Sequence, residues 1–252
     1  MMKLFDILFE EYNTYAPPNF CLIELRQGIL VLIHVSTFLK EITKNPRTKS
    51  FDYIAGYINL KPPNPKSCSQ VYEVGMIVGN PTFRGAGYTM YCLASDYYKI
   101  PLTSDRTSST SKAAKDIWKK IEGSSEWVEA IKLDNYGITN NIFGKPKKTY
   151  VKFNNGKYNL SSMPNTPEPE DDCLLPSFDG GLNNIDKMLD VLGTPNAYKY
   201  SGQLKAEPMI NYTNEVFNSI NKIFDKEQLK TKISIASAQL WQQRYKGPNT
   251  QR

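Results

Sequence analysis

Histidine is almost missing from this sequence: His34 is the only one in 252 residues, inside the apolar run Ile29–Val35. One imidazole cannot build a histidine-rich metal centre, and a core or strand-edge position suits it. The same shortage leaves Ser104, Ser108 and Ser109 without the base that a nucleophile triad needs, and makes Asp105-Arg106 a local ion pair. Cysteine is sparse as well. Cys21, Cys68, Cys92 and Cys173 form no Cys-x-x-Cys pair, which argues against a zinc ribbon or disulfide framework and for reduced, buried thiols. The most apolar stretch, Gly28 to Phe38, falls well short of the ~20 residues that span a bilayer. Met1 to Glu11 breaks its apolar residues with Asp6, Glu10 and Glu11, a pattern for an amphipathic helix rather than a signal peptide. No membrane segment is expected, and a cytoplasmic protein is.

No dense basic patch exists either. Lys and Arg total 31 against 25 Asp and Glu, spread along the chain for a net charge of +6. That balance favours solubility and a mild attraction for anions, and nucleic acid is not an expected partner. The acidic cluster Glu168, Glu170, Asp171, Asp172 lacks the glycine and ligand order of an EF-hand, so it reads as a solvated strap and no metal is expected.

What is present is a foldable chain, 40% hydrophobic and 22% charged. Residues 3–12 read as a helix, Cys21–Arg26 and Gly28–Ser36 as a hairpin, and Thr37–Thr43 as a short helix. Phe51–Leu60 reads as a strand with a bulge at Gly56. A strand over 71–78, a helix over Tyr88–Lys99 and a short strand over Ile100–Thr103 follow. A helix over 111–121 has Ala114, Ile117, Trp118 and Ile121 on one face, and Trp127–Leu133 and Lys148–Phe153 read as the last strands. Residues 156–181 are rich in proline and acid, as a linker or strap would be. The remainder reads as helical: Leu182–Leu192, Asn211–Phe224 and Lys226–Tyr245.

The centre of the chain is the sequence Arg84-Gly85-Ala86-Gly87-Tyr88-Thr89, between the strand 71–78 and the helix after it. Strand, glycine turn and helix can serve as a plain tight turn that caps a helix. They can equally serve as a phosphate site, because two residues without Cβ let a diphosphate approach the amides of the helix's first turn. Met90 stands where Gly-x-Gly-x-x-Gly needs its third glycine, and Gly-Lys-Ser/Thr is absent, so neither the dinucleotide fingerprint nor the P-loop fits. The segment resembles the acetyl-CoA signature of the GNAT N-acetyltransferase superfamily, Gln/Arg-x-x-Gly-x-Gly/Ala. Arg84 takes its first place, Gly87 its fourth and Thr89 its sixth. Val78-x-x-Pro81-x-x-Arg84-Gly85 resembles the approach to that loop, and Ala114-x-x-Ile117-Trp118 a later helix of the family, with Ser111 in its Asn place and Trp118 in its Tyr place.

The resemblance implies an α/β (α+β) fold: a mixed, mostly antiparallel sheet flanked by helices, with a helical C-terminal extension. It divides the chain into an acyl-CoA-binding domain over 1–155, the strap over 156–181 and the extension over 182–252. It further implies transfer of an acetyl group from acetyl-CoA to an amine on a protein lysine, a small molecule or a nucleobase. Arg84, Gly85, Ala86, Gly87, Tyr88 and Thr89 would cradle the diphosphate. Backbone groups of Met76 and Val78 would meet the pantetheine arm, and Ser111 would stand near it. Glu73 is the candidate base, weighed against a surface carboxylate at a strand's start. Trp118 is no practical acid, so Tyr97, Tyr98 or a water would protonate the departing thiolate. The other reading is a binding or structural protein of the same fold that has lost catalysis, its C-terminal helices docking a protein partner. Chains rich in Asn, Lys and Tyr with degenerate motifs of this kind also resemble proteins carried by large tailed phages.

Overall fold

The computed structural model describes residues 16–44, 50–62, 71–105, 110–132, 136–140, 146–154, 157–160, 194, 196–221 and 224–245. The expected helix over 3–12, residues 161–181 of the strap, the helix over Leu182–Leu192, and Cys68 and Cys173 lie outside them. Ten strands and five helices are described, and seven of the strands form one mixed sheet. No helix among the described residues is long and apolar enough to cross a membrane.

The contacts of the chain divide it into two units, each gathered from separate segments. The first joins residues 1–60, 76–98 and 202–252. Its strands β1 (Phe20–Arg26) and β2 (Ile29–His34) form the expected hairpin, and β2 pairs antiparallel with β3 (Ile54–Lys61). Gly28 turns the hairpin with φ +83°, a conformation that costs a glycine little. The β2–β3 register slips by one residue beside Gly56, where the bulge was expected. The end of β4 (Tyr72–Gly79) completes this unit's strands.

Helices lie on both faces of those strands. On one face, Cys21, Ile23, Val31, Ile33 and Val78 pack with Val35, Phe38 and Ile42 of α1 (Val35–Lys44). The same core takes Val216, Phe217 and Ile220 of α4 (Ala206–Ile220), and Leu229, Ile233 and Leu240 of α5 (Lys226–Tyr245). Burying a large aliphatic side chain contributes about 1.5–3 kcal/mol relative to leaving it in water, so this core is the unit's main source of stability. On the other face lies α2 (Ala86–Tyr98), buried on nearly every side from Tyr88 to Asp96. A helix covered all round is an interior element, which explains why its sequence shows no strong polar face.

The second unit joins residues 61–75 and 99–201. Here β4 pairs in parallel with β5 (Leu102–Ser104) over three rungs, from Tyr72↔Leu102 to Val74↔Ser104. Helix α3 (Lys112–Glu122) buries Trp118 and Ile121, and Gly123 closes it by donating to the Ile121 and Lys119 carbonyls. Strand β6 (Trp127–Lys132) begins where expected, and β7 (Tyr136–Asn140), β8 (Pro146–Asn154) and β9 (Lys157–Leu160) make an antiparallel meander.

One expectation fails here. The chain beyond residue 182 is not helical throughout, because Asn196–Tyr200 forms β10, paired antiparallel with β5 and along its length with β6. Trp127 and Tyr200, opposite each other in that ladder, bring their rings to 5.2 Å. Thr103 Oγ1 donates to the Asn196 carbonyl at 3.0 Å, a further tie between β5 and β10. The α+β class with a mixed, mostly antiparallel sheet is as expected.

Candidate functional site

The glycine turn is held from below by one asparagine. Asn80, 5% exposed, follows β4 directly and gives its N–H to the Ala55 carbonyl at 2.9 Å. Its Nδ2 donates to the Ile54 carbonyl at 2.9 Å, while its Oδ1 accepts from the Thr82 N–H at 3.0 Å and its carbonyl from the Phe83 N–H at 2.9 Å. Two of these bonds tie the loop to β3 and the other two bend it. Phe83 adds a lateral anchor, its ring centroid 5.7 Å from Phe20 and 5.1 Å from His34.

Beyond Phe83 the backbone reverses at Gly85, whose φ of +85° disfavours a side chain. The Gly85 carbonyl accepts the Thr89 N–H at 3.0 Å, so Gly85 takes the N-cap position of α2. A glycine cap brings no side-chain oxygen over the amides of the first turn. Arg84 and Gly85 are exposed and Gly87 is half-buried, while Ala86, Tyr88 and Thr89 are turned inward at 1%, 8% and 3% exposure. Thr89 therefore does not crowd the approach from outside. A Cβ on Gly79 would lie 2.9 Å from the Gly87 nitrogen, so the end of β4 touches the first turn of the helix directly. The result is a braced, solvent-facing helix N-terminus with an arginine beside it, a place where an anion is stabilised.

The other expected residues are placed as follows. Val78 is buried in the first unit's core, and Met76 packs against that core half-buried on the same strand face. Glu73 is half-buried on β4 and stands opposite Thr103 in the parallel ladder of the second unit. Ser111 is the N-cap of α3, its hydroxyl accepting from the Ala114 N–H at 3.3 Å. That cap accounts for its position without a ligand. Trp118 is 1% exposed, part of the packing under α3. Asp105 pairs with Lys61 at 2.7 Å, and its expected partner Arg106 lies outside the described residues. Ser104 Oγ donates to the Thr194 carbonyl at 3.5 Å and accepts the Thr194 N–H at 3.3 Å, which ties β5 to that residue.

Tyr97 and Tyr98 have a partner the sequence did not suggest. Their hydroxyls donate to the two oxygens of Glu24 at 2.7 and 2.6 Å, and the Tyr98 hydroxyl also accepts the Gly28 N–H at 2.7 Å. Burial, then the hydrogen bond to Glu24 and its charge, push the Tyr97 pKa up to about 12. A phenol so placed is a poor proton donor. Glu24 is a hub joining the hairpin to the end of α2, and only the three-dimensional meeting of β1 with α2 could reveal it. His34 rests on Phe20 at 5.0 Å and shares a hydrogen bond of 2.8 Å with Thr37, and burial lowers its pKa. Among the described residues no group of three or more His, Cys, Asp or Glu is placed to hold a metal ion.

Fold and site together define an α+β protein with an open, glycine-lined helix terminus. Compared with protein-family models, curated proteins and solved structures, the chain matches none.

Proposed function

We propose that the chain binds acetyl-CoA at the Arg84–Thr89 corner and transfers its acetyl group to an amine. The observation that carries this reading is the Gly85 cap: positive φ, no capping side chain, Arg84 exposed beside it, and a loop already braced by Asn80. The resemblance of Arg84-Gly85-Ala86-Gly87 to the GNAT acetyl-CoA signature points the same way. The diphosphate would rest on first-turn amides with Arg84 adding charge, and the pantetheine arm would pair with the backbone of β4 near Met76 and Val78. The neutral amine attacks the thioester carbonyl, the C–S bond breaks, and the thiolate leaves. The ammonium proton passes to Glu73 directly or through water.

A second reading, a binding module without turnover, draws on two observations. Trp118 is enclosed in the packing under α3, and the phenols of Tyr97 and Tyr98 at the end of α2 are both committed to Glu24. Calorimetric titration with acetyl-CoA tests the first reading. Saturable binding that weakens about tenfold or more in Arg84→Glu supports the corner, as expected for reversing a charge beside a bound anion. Turnover with an amine acceptor should fall by about 10²-fold or more in Glu73→Gln if that carboxylate is the base. Binding without turnover favours the second reading, and absence of any binding ends both uses of the corner.

A further inference from the structure

The first unit contains a groove of about 530 Å³ on the sheet face away from α2. It exists because α5 presents small side chains there. Ser234, Ser237 and Ala238 line it together with Ile29, Tyr57 and Met76, and no described residue fills the gap between them. Leu25 and Trp241 extend the apolar wall, and Ile235, 51% exposed, adds an apolar side chain at the rim. A volume of this size with mostly apolar walls and a few polar groups is what small-molecule sites have in common.

The charged groups of the wall are unequal in number and in burial. Among the described residues two are cationic, Arg26 at the end of β1 and Lys230 on α5, and one is anionic, Glu227. Glu227 is 83% exposed and only 4.0 Å from Lys230, whereas the Lys230 side chain is 30% exposed. That contact is too long and too wet to neutralise the lysine. Arg26 acts on the groove too: burial raises the pKa of Tyr57, and the Arg26 charge opposes that rise. Tyr57 and Arg26 thus both belong to the wall of the groove, as do Thr231 and Ser234, which follow Lys230 on α5.

We infer that this groove is a binding site for a small anionic amphiphile, with a carboxylate or phosphate head held by Arg26, Lys230 and the Tyr57 hydroxyl, and an apolar body along Ile29, Met76 and Ala238. A cationic amphiphile would meet two like charges, and a purely apolar one would leave them unanswered. The site is distinct from the glycine corner, and the inference stands whether or not acetyl-CoA binds there.

Decanoate and decyl phosphate, titrated below their micellar concentrations into the full-length protein, are the probes, with decanol and decyltrimethylammonium as controls for the head group. Both anions should bind saturably and raise the melting temperature. Decanol should bind at least tenfold more weakly. Arg26→Gln combined with Lys230→Gln should weaken both anions about tenfold or more, since a hydrogen bond to a charged partner is lost at each position. Ser234→Trp should abolish binding by filling the groove from an exposed helix position, with circular dichroism confirming the fold. Arg84→Glu should leave decanoate binding unchanged. A tighter fit for decyl phosphate would identify a phosphate ester as the head, and a tighter fit for decanoate a carboxylate. The inference is overturned if the ammonium amphiphile binds as well as the anions, or if folded Ser234→Trp binds as the parent does.

Discussion

Gly79→Ala is the sharpest test of how the glycine corner is built. An added Cβ would lie 2.9 Å from the Gly87 nitrogen and 3.3 Å from its Cα, where an ordinary contact begins at 3.4 Å. Both obstacles are backbone, so no rotamer change relieves them. Either β4 bends or the first turn of α2 retreats, stretching the Asn80 bonds to Ile54 and Ala55. Overpacking of this kind costs about 1–3 kcal/mol. Alanine recovers about 0.5–1 kcal/mol of that through its lower backbone entropy. A net loss of about 0.5–2 kcal/mol, with a urea m-value of about 2 kcal/mol per M, lowers the midpoint by about 0.25–1 M. Gly56→Ala is the control. Its Cβ would meet Met90 Cγ at 2.6 Å and Sδ at 3.1 Å, a side chain that can be shortened. Met90→Ala should therefore offset part of the strain in Gly56→Ala and none of it in Gly79→Ala, which a double-mutant cycle by circular dichroism would read. A Gly79→Ala midpoint within about 0.2 M of the parent would refute the close approach.

Three further outcomes are expected. Asp96, 4% exposed, accepts the Ala206 N–H at 2.8 Å and thereby caps α4 from outside, so Asp96→Ala should cost about 1–2 kcal/mol in urea unfolding and Asp96→Asn clearly less. The Lys205 partner at 3.4 Å is half-exposed and adds little to that figure. His34 has a lowered pKa in the fold, so the unfolded chain takes up its proton first as pH falls. Its contribution is complete above the ordinary value of 6.5 and declines below it, toward the lower folded value. His34→Gln should remove that part of the pH dependence between pH 7.5 and 5, measured as the difference from the parent; an unchanged difference would show that His34 does not carry it. Cys21, with its pKa pushed up to about 12 by burial, and the fully buried Cys92 should resist iodoacetamide in the native protein. Peptide mapping should find both labelled only after urea; rapid native labelling at Cys21 would contradict its burial.

Elements with strong local signals were legible. The hairpin at Gly28, the slip at Gly56, the Ser111 cap, the Gly123 stop and the bounds of α5 all follow from residues acting on their immediate neighbours. What escaped were features whose cause lies far along the chain. Helix α4 starts at Ala206, ahead of the expected Asn211, because its cap is Asp96 and not the adjacent Lys205. Strand β10, with only Ala197, Tyr198 and Tyr200 buried, carries too little pattern to announce itself and takes its form from β5 and β6. The glycine corner was visible as a motif, but its brace was not: Asn80 looks like an ordinary turn residue until β3 lies beside it. Tyr97 and Tyr98 were expected among possible acids, and the carboxylate of Glu24 engages both.

The first unit closes only with residues 202–252, since α4 and α5 cover Cys21, Ile23, Val31 and Ile33 near the other end of the chain. On the ribosome, the hairpin has only α1 against that core face until α4 and α5 have been made. Such late pairing of distant segments implies slow folding, with a nascent intermediate whose greasy sheet face invites chaperone capture. A ribosome stalled before α5 would release a product prone to aggregation, even though every strand of that sheet had already been synthesised.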